Sequence, residues 1–312
     1  MARLTSGPTG RQRPPEPFIP AMYIELHAAS AFSFLQGASL PETIVERAAN
    51  LGYEAIALVD RDGIYGAPRF YKAARTAGIK AIVGAELTLA DAALEPASNL
   101  DARNPQFAPH SALRTPHSTW LLPVLVGSRI GYQNLCRLIT RMKLRAPKGE
   151  GSLSFDDLDG SVSGLIAIIG RQVLRTRGHG VGGLLDRLNG IFGRDNVYVE
   201  LQRHFDRDEE IDNESLIDLA QAYRVPLIVT NGVRFSQPDE RPLFDVFTCL
   251  HQKTTLAAAG RRLVSNAERY LKSPEAMAGL FFTPSAKTMF ATGMLVLVLL
   301  LRPQGILGRR LT

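Results

Sequence analysis

The sequence predicts an α/β fold in which β-strands and α-helices alternate along the chain, and three observations support this class. Short apolar runs rich in β-branched residues alternate with segments of helical periodicity. Two strand–helix repeats fall between residues 39 and 83. Polar residues follow the ends of several strand-like runs. Because chemistry gathers at the C-terminal strand ends of parallel α/β barrels, the pattern indicates a parallel barrel.

The first repeat begins with a helix that has clear end signals. Ser39 and Glu42 have the spacing of a capping box, and Pro41 falls in the first turn, where its missing N–H costs nothing. An apolar stripe follows, and Gly52 can adopt the left-handed conformation that ends a helix. A buried strand is predicted directly after it, at residues 55–59.

The second repeat is predicted as a helix at residues 67–77, closed by Gly78, and a strand at residues 79–83. Residues 90–118 are polar and contain proline, which predicts an irregular insertion.

The strand pattern resumes at residues 121–126, where Pro123 cannot donate to a ladder and predicts an edge strand or a bulge. A helix at residues 131–143 follows. The remaining predictions are strands at residues 165–169, 197–201 and 227–230, with helices near residues 183–192 and 208–223.

Composition sets limits on function. A chain of 312 residues with 45% apolar residues can bury a sizeable core. Its net charge of +6 is concentrated at the ends, because residues 1–22 contribute +2 and residues 283–312 contribute +4. The neutral body therefore does not predict a broad basic surface for DNA. Cys136 and Cys249 are predicted to be buried thiols in a reducing, cytoplasmic setting.

The two ends differ from the body. Residues 1–22 lack the apolar run of a secretory signal and are predicted to form a disordered leader. Residues 282–312 form an apolar tail with a run of fourteen uncharged residues between Lys287 and Arg302. This run is shorter than the roughly 20 apolar residues that a spanning helix needs.

Three residues with metal-binding chemistry stand at strand ends. His27 follows an apolar strand-like run, Asp60 follows the predicted strand at residues 55–59, and Glu86 follows another apolar run. Imidazole nitrogens and carboxylate oxygens have the lone pairs that metal ions require. The position two residues past His27, on the same strand face, is Ala29, which offers no ligand.

This arrangement resembles the PHP domain at the N-terminus of bacterial DNA polymerase III alpha subunits, in the form found in the error-prone branch. The resemblance implies a distorted, TIM-like (β/α)7 barrel over residues 23–281. It also implies a metal cluster that cleaves phosphoesters in active relatives, and a family role in DNA synthesis during replication, repair and damage-induced mutagenesis. Further segments that carry the resemblance are residues 32–39, 70–74, 131–140, 198–204 and 266–275.

Carrying the family's motif over position by position leaves His27, Asp60 and Glu86 as remnants of the metal site. The other ligand positions hold residues that cannot replace the family's histidines, cysteine and acids. A guanidinium also repels a divalent cation, so the arginines are expected to pair with Asp60 and Glu86 in a buried salt-bridge core. These degenerate positions are Ala29, Gln36, Arg61, Arg171, Gly232 and Arg234.

The resemblance therefore predicts a PHP module that is catalytically silent alone, with no cofactor beyond a weakly held divalent metal. Its expected partners are polymerase domains or other replication and repair proteins, with DNA reached only in a full-length polymerase. Two alternatives stay open. One is a phosphoesterase or exonuclease with a single metal on the remnant ligands, and the other is a non-catalytic scaffold for polymerase partners.

The tail at residues 282–312 resembles the end of branched-chain amino-acid ABC transporter permeases. This predicts a gene-fusion or frameshift remnant that truncates a polymerase-like chain, and any membrane contact of the tail is expected to have no function. The alternative is a native helix that caps the domain.

Overall fold

The computed structural model describes residues 23–90, 119–147, 151–177 and 180–281. The predicted leader, most of the predicted insertion and the apolar tail lie outside these residues.

The architecture is one mixed sheet of seven strands flanked by helices. The strands lie side by side in chain order, so no strand crosses over another. Their bounds are β1 (Glu25–Ala28), β2 (Ala55–Arg61), β3 (Lys80–Ala90), β4 (Thr119–Val126), β5 (Leu165–Ile169), β6 (Val197–Leu201) and β7 (Leu227–Val229).

The strands do not all run in one direction, which corrects the prediction of a parallel arrangement. β4 is antiparallel to both β3 and β5, whereas every other neighbouring pair is parallel. A parallel neighbour requires a crossover connection, usually a helix. The polar residues between β3 and β4 carry no helical pattern, and an antiparallel neighbour needs none.

Pro123 lies in the interior of the sheet, so the prediction of an edge strand for β4 is wrong. It pairs opposite Glu86 of β3, and the ladder to β5 begins one residue later, at Val124. Proline is tolerated here because it stands just beyond the end of the β4–β5 ladder.

Ten helices lie in the described part of the chain, with short 3₁₀ turns between some of them. Their bounds are α1 (Pro41–Asn50), α2 (Ala67–Ala77), α3 (Arg129–Arg145), α4 (Phe155–Leu158), α5 (Arg171–Arg177), α6 (Val181–Phe192), α7 (Glu209–Tyr223), α8 (Arg241–His251), α9 (Leu256–Ala259) and α10 (Pro274–Phe281).

The end signals of the first two helices had different outcomes. Gly78 ends α2 in the left-handed conformation, as predicted. The capping box predicted for α1 does not form, because Leu40 is the N-cap and no side chain caps the helix. The hydroxyl of Ser39 instead donates to Glu240 at 2.6 Å and accepts from the N–H of Ser236 at 2.6 Å. A tertiary hydrogen bond therefore takes the place of the local cap.

Helices cover the outer face of the sheet. α1 and α2 pack on β1 and β2 through a cluster that includes Ile44, Ile56 and Phe70. A larger cluster joins β3 to β6 with α3, α6 and α7, and includes Trp120 and Leu185. Burial of these apolar side chains is the main favourable term in folding. The inner face keeps a smaller apolar cluster and leaves room for polar groups at one end.

A bulge in β1 sets which residues reach the inner face. Between Glu25 and Ala28, three steps along β1 match two steps along β2. Leu26 packs into the inner apolar cluster, and the next residue, His27, lines a cavity at the strand ends. The extra residue thus turns two consecutive side chains to the inside.

β1 also pairs with the segment that follows β7. Ala28 and Val233 form a parallel bridge, in which Val233 donates to the carbonyl of His27 at 2.9 Å and accepts from the N–H of Ala29 at 2.9 Å. β1 is therefore joined to the segment after β7, and the count of seven strands agrees with the expected distorted barrel.

Among the described residues, no helix combines the length and apolar character that crossing a membrane requires.

Candidate functional site

A polar cavity of about 390 Å³ lies where the strands meet at the top of the sheet. Each of the strands β1 to β6, or the residue just after it, contributes to the cavity wall. β7 does not, but Arg234, five residues after its end, does. These residues are His27, Arg61, Glu86, Leu121, Pro123, Gly170, Glu200 and Arg234.

The period of two along a strand decides which side chains enter this cavity. In β2, Val59 belongs to the inner cluster and Leu58 to the outer one. Arg61 therefore shares the inner face with Val59, and Asp60 shares the outer face with Leu58. Alternation also turns Glu86 inward, since its neighbour Leu87 packs outward.

His27 occupies the centre of the site, between two acids. Its Nδ1 lies 2.7 Å from Oε1 of Glu200, and its Nε2 lies 2.7 Å from Oε1 of Glu86. Burial alone would lower the pKa of His27, but the charges and hydrogen bonds of Glu200 and Glu86 outweigh it and raise the pKa to about 10. At neutral pH both ring nitrogens carry protons, so neither has a lone pair for a metal ion.

Arg234 binds the same acid from the other side. Its Nη2 lies 2.8 Å from Oε1 of Glu86, and its Nη1 lies 3.5 Å from Oε2. Burial raises the pKa of Glu86, but the guanidinium of Arg234 and the imidazolium of His27 outweigh burial and hold that pKa far below its ordinary value. Glu86 is thus an ionised carboxylate between two cations, and the pairing expected for it from the sequence is present.

Asp60 lies apart from this cluster. Its Oδ1 accepts from the N–H of Ser30 at 2.8 Å, from the hydroxyl of Ser30 at 2.9 Å and from that of Ser33 at 2.8 Å. The structure therefore brings His27 and Glu86 together and leaves Asp60 on the outer face. Asp60 organises the turn that follows β1.

Arg61 does not pair with Asp60, which corrects the expected salt bridge. The guanidinium lies on the inner face, 3.8 Å from Asp62, and the side chain is 32% exposed. The reason is again the alternation along β2, which separates adjacent side chains onto opposite faces.

The other degenerate positions divide into two groups. Gln36 and Arg171 line the cavity. Ala29 is fully buried and Gly232 is buried, and neither lines the cavity. Gly232 has a φ of +54°, and a Cβ there would meet the amide of Gln202.

A second group of donors lies beside the cavity. Among the described residues, only His204, Asp206 and Glu209 bring three ligand atoms within 4.8 Å of one another. Arg171 already binds this group, with Nη1 2.8 Å from Glu209 and 3.4 Å from Asp206. Nδ1 of His204 lies 2.8 Å from Oε1 of Glu209. Burial raises the pKa of Glu209, but hydrogen bonds from His204, helped by Arg171, lower it to about 2.

Comparison with known proteins identifies the family of this chain. Residues 25–204 match the family model of the PHP domain. The chain belongs to the PHP family. It is 35% identical over 267 residues to error-prone DNA polymerase 1 of Agrobacterium fabrum, covering 83% of this chain and 21% of that protein. It is 34% identical over 283 residues to the error-prone DNA polymerase of Mycolicibacterium paratuberculosis, covering 86% and 24%.

This PHP domain is thus homologous to the N-terminal region of error-prone DNA polymerases, and the chain spans about a fifth of the length of the first of these relatives. Among solved structures, a protein of Bifidobacterium adolescentis assigned as a metal-dependent phosphoesterase matches with a TM-score of 0.46 and 13% identity, covering 68% of this chain and 88% of that one.

A multinuclear metal centre does not fit the cavity of this PHP domain. The one histidine uses both nitrogens on carboxylates, and one of those carboxylates is also bound by a guanidinium. The cavity positions that the resemblance assigns to further donors hold Gln36, Arg61, Arg171 and Arg234. The guanidinium groups of these arginines would therefore repel the metal ions of such a centre.

Glu200 and Arg269 are among the cavity residues of this PHP domain that were not assigned to the site from the sequence. Glu200 is the second carboxylate on His27. A charged residue inside the buried strand at residues 197–201 was the available signal. Arg269 also lines the cavity. It lies in residues 266–275, which carry the resemblance, but that loop is distant from every strand end and was not assigned to the site.

Proposed function

We propose that residues 23–281 form the PHP module of an error-prone DNA polymerase-like protein, whose family role is DNA synthesis in replication, repair and damage-induced mutagenesis. The module itself carries no catalysis. Support comes from identity near 35% to the N-terminal region of error-prone polymerases. α10, at the end of this range, packs against the main core through Phe281.

One observation supports the proposal that the module has no catalytic activity. His27 bridges Glu200 and Glu86 at 2.7 Å on each side, and Arg234 binds Glu86 at 2.8 Å. The groups that would have to activate water on a metal are therefore engaged with one another. A salt-bridge network of this kind can hold the strand ends together without an ion.

The test uses the purified full chain with Mn²⁺ or Zn²⁺ and three substrates: a primed DNA template with nucleotides, single-stranded DNA and p-nitrophenyl phosphate. We expect no extension, no shortening and no hydrolysis above buffer, with a full-length error-prone polymerase as the positive control for extension. Hydrolysis that is abolished in His27→Ala would contradict the proposal.

A silent module still has a function as a scaffold, because its family partners are polymerase domains or other replication and repair proteins. DNA would then be contacted only in that larger context. Co-purification of the chain with the polymerase domains of a relative, expressed as a separate polypeptide, tests this role. Stable association is expected, and separate elution at micromolar concentrations of both would count against it.

A second candidate is a phosphoesterase or exonuclease that holds a single divalent ion weakly. The group at His204, Asp206 and Glu209 favours it, since its three donors lie close together. Metal analysis after dialysis separates the candidates. Metal that disappears in His204→Ala but persists in His27→Ala would identify this group as the site, whereas a metal-free chain supports the silent module.

The proposal extends to the tail at residues 282–312, which is a permease-like remnant joined to the module. The chain is proposed to be located in the cytoplasm. Sequencing the DNA on both sides of the codon for Phe282 tests the junction. A polymerase reading frame downstream in another phase is the expected result, and an uninterrupted native frame in related genomes would refute it.

A further inference from the structure

We propose that the cavity at the strand ends is an anion site that binds a phosphate group through Arg61 and Arg269, with guanidinium groups in the place of metal ions. Such binding requires only the cavity, so it holds whether or not the chain works beside polymerase domains.

The charges that line the cavity favour an anion. Four arginines contribute to the wall, against three carboxylates, before any charge on His27 is counted. Neutral amide groups make up much of the remaining polar surface. The charged residues are Arg61, Arg171, Arg234 and Arg269 on one side and Glu86, Glu200 and Asp206 on the other.

Most of these charges are already matched. Arg234 is bound to Glu86, and Glu200 is bound to His27. Arg171 binds three acids on the adjacent loop and helix, with Nη1 2.8 Å from Glu209. Once these pairs are set aside, two cavity arginines retain unused donors.

Arg269 is the stronger of the two. Its backbone carbonyl accepts from the N–H of Arg234 at 2.9 Å, which fixes it beside a second cation. Its guanidinium makes no hydrogen bond and no ion pair within 4.0 Å to any other residue that the structure describes. Burial, and then the charge of Arg234, lower the pKa of Arg269 to about 10. An anion at this guanidinium would relieve the repulsion.

Arg61 provides the second cation. It lines the same cavity from the end of β2, and its nearest acid, Asp62, stays at 3.8 Å, beyond hydrogen-bond distance. A side chain that is 32% exposed retains the freedom to turn toward a ligand. Arg61 and Arg269 thus leave one cavity with two incompletely satisfied guanidinium groups.

The chemistry of the guanidinium selects the ligand class. Its planar fork matches two phosphate oxygens, and such charge-assisted hydrogen bonds are roughly twice as strong as neutral ones. The volume of about 390 Å³ lies within the roughly 300–1,000 Å³ of ordinary ligand pockets. A phosphate group with a small organic substituent therefore fits, and a divalent cation is repelled by the same residues.

Two sources share this chemistry, free inorganic phosphate and the phosphorylated end of a nucleic acid. Isothermal titration calorimetry of the full chain at low ionic strength measures the affinity for inorganic phosphate, a 5′-phosphorylated thymidine dinucleotide and the same dinucleotide without phosphate. Phosphate and the phosphorylated dinucleotide should bind and compete, and the unphosphorylated one should not bind. Tighter binding of the phosphorylated dinucleotide would identify a nucleic-acid end as the source.

The matched variants are Arg269→Gln and Arg61→Gln, with Arg129→Gln as the control. Arg129 is an exposed arginine at the start of α3, outside the cavity. We expect each cavity variant to weaken phosphate binding at least tenfold and the control to leave it unchanged, with all three showing the far-ultraviolet circular dichroism of the parent. Equal affinity in all three variants would overturn the proposal, as would no heat of binding for phosphate at millimolar concentrations.

Discussion

The guanidinium of Arg234 lies 2.8 Å from the carboxylate of Glu86, and Arg234 occupies the position where the PHP resemblance places a histidine ligand. The same carboxylate accepts from His27 at 2.7 Å. One acid is therefore held by two cations, one from β1 and one from the segment after β7. This network links β1, β3 and the segment after β7.

Replacement of Arg234 by glutamine should strongly destabilise the chain, because Glu86 would remain buried with one cation fewer. Loss of one partner from a buried pair costs about 3–5 kcal/mol, and the remaining bond to His27 places the expected loss near the lower limit. Arg61→Gln is the matched control, and its partly exposed side chain should cost less than about 1 kcal/mol. Urea denaturation measures both, and equal losses would show that the Arg234 pair is not special.

Stability should fall as the pH rises above neutrality. The pKa of His27 is raised from an ordinary 6.5 to about 10 in the folded chain, so protonated His27 stabilises the fold. That stabilisation is complete below about pH 6.5 and is lost as the pH rises to about 10, by up to about 1.4 kcal/mol per pH unit. Denaturation between pH 6 and pH 10 measures the slope, which His27→Gln should flatten. An unchanged slope in that variant would assign it to other groups.

Restoring histidine at two cavity positions should create metal binding. The double variant Arg61→His with Arg234→His removes two fixed positive charges and adds two imidazoles near His27 and Glu86. We expect about one Zn²⁺ per chain after dialysis, measured by mass spectrometry of the metal. The control pair, Arg61→Gln with Arg234→Gln, removes the charges without adding donors and should remain metal-free. Equal metal content in both double variants would contradict the role assigned to the missing ligands.

Two helical glycines should respond to alanine with opposite signs. At Gly131 of α3, a Cβ would overlap the carbonyl of Gly164, so Gly131→Ala should cost about 1–3 kcal/mol. At Gly190 of α6, no atom lies within 4 Å of an added Cβ. Gly190→Ala should therefore stabilise the chain by about 0.5–1 kcal/mol through helix propensity. Thermal unfolding measures both, and destabilisation by both would mean that packing does not separate the two sites.

Much of the fold was predictable because it depends on local patterns. The strands at residues 165–169 and 197–201 have the predicted bounds, and α2 ends at Gly78 as its sequence indicates. Strand direction was not predictable in the same way. The antiparallel setting of β4 depends on the connection between β3 and β4, where the sequence pattern indicates no regular element.

The residues that line the cavity were easier to predict from the sequence than the ion pairs that they form. His27, Arg61 and Glu86 lie in β1, β2 and β3 and line one cavity together with Arg234, which follows β7. The partner of each depends on tertiary contacts that spacing does not encode. Asp60 illustrates the difference, since a strand end alone does not say which face a carboxylate takes.

The extra residue in β1 makes that strand unusually intolerant of changes in length. Removing one residue between Glu25 and Ala28 would cancel the bulge and restore simple alternation across β1. Either Leu26 or His27 would then have to turn toward α1 and α2, placing an imidazole among aliphatic side chains or emptying a place in the inner cluster. A single-codon deletion here would thus be more harmful than most point substitutions, although no side chain in the cavity had changed its identity.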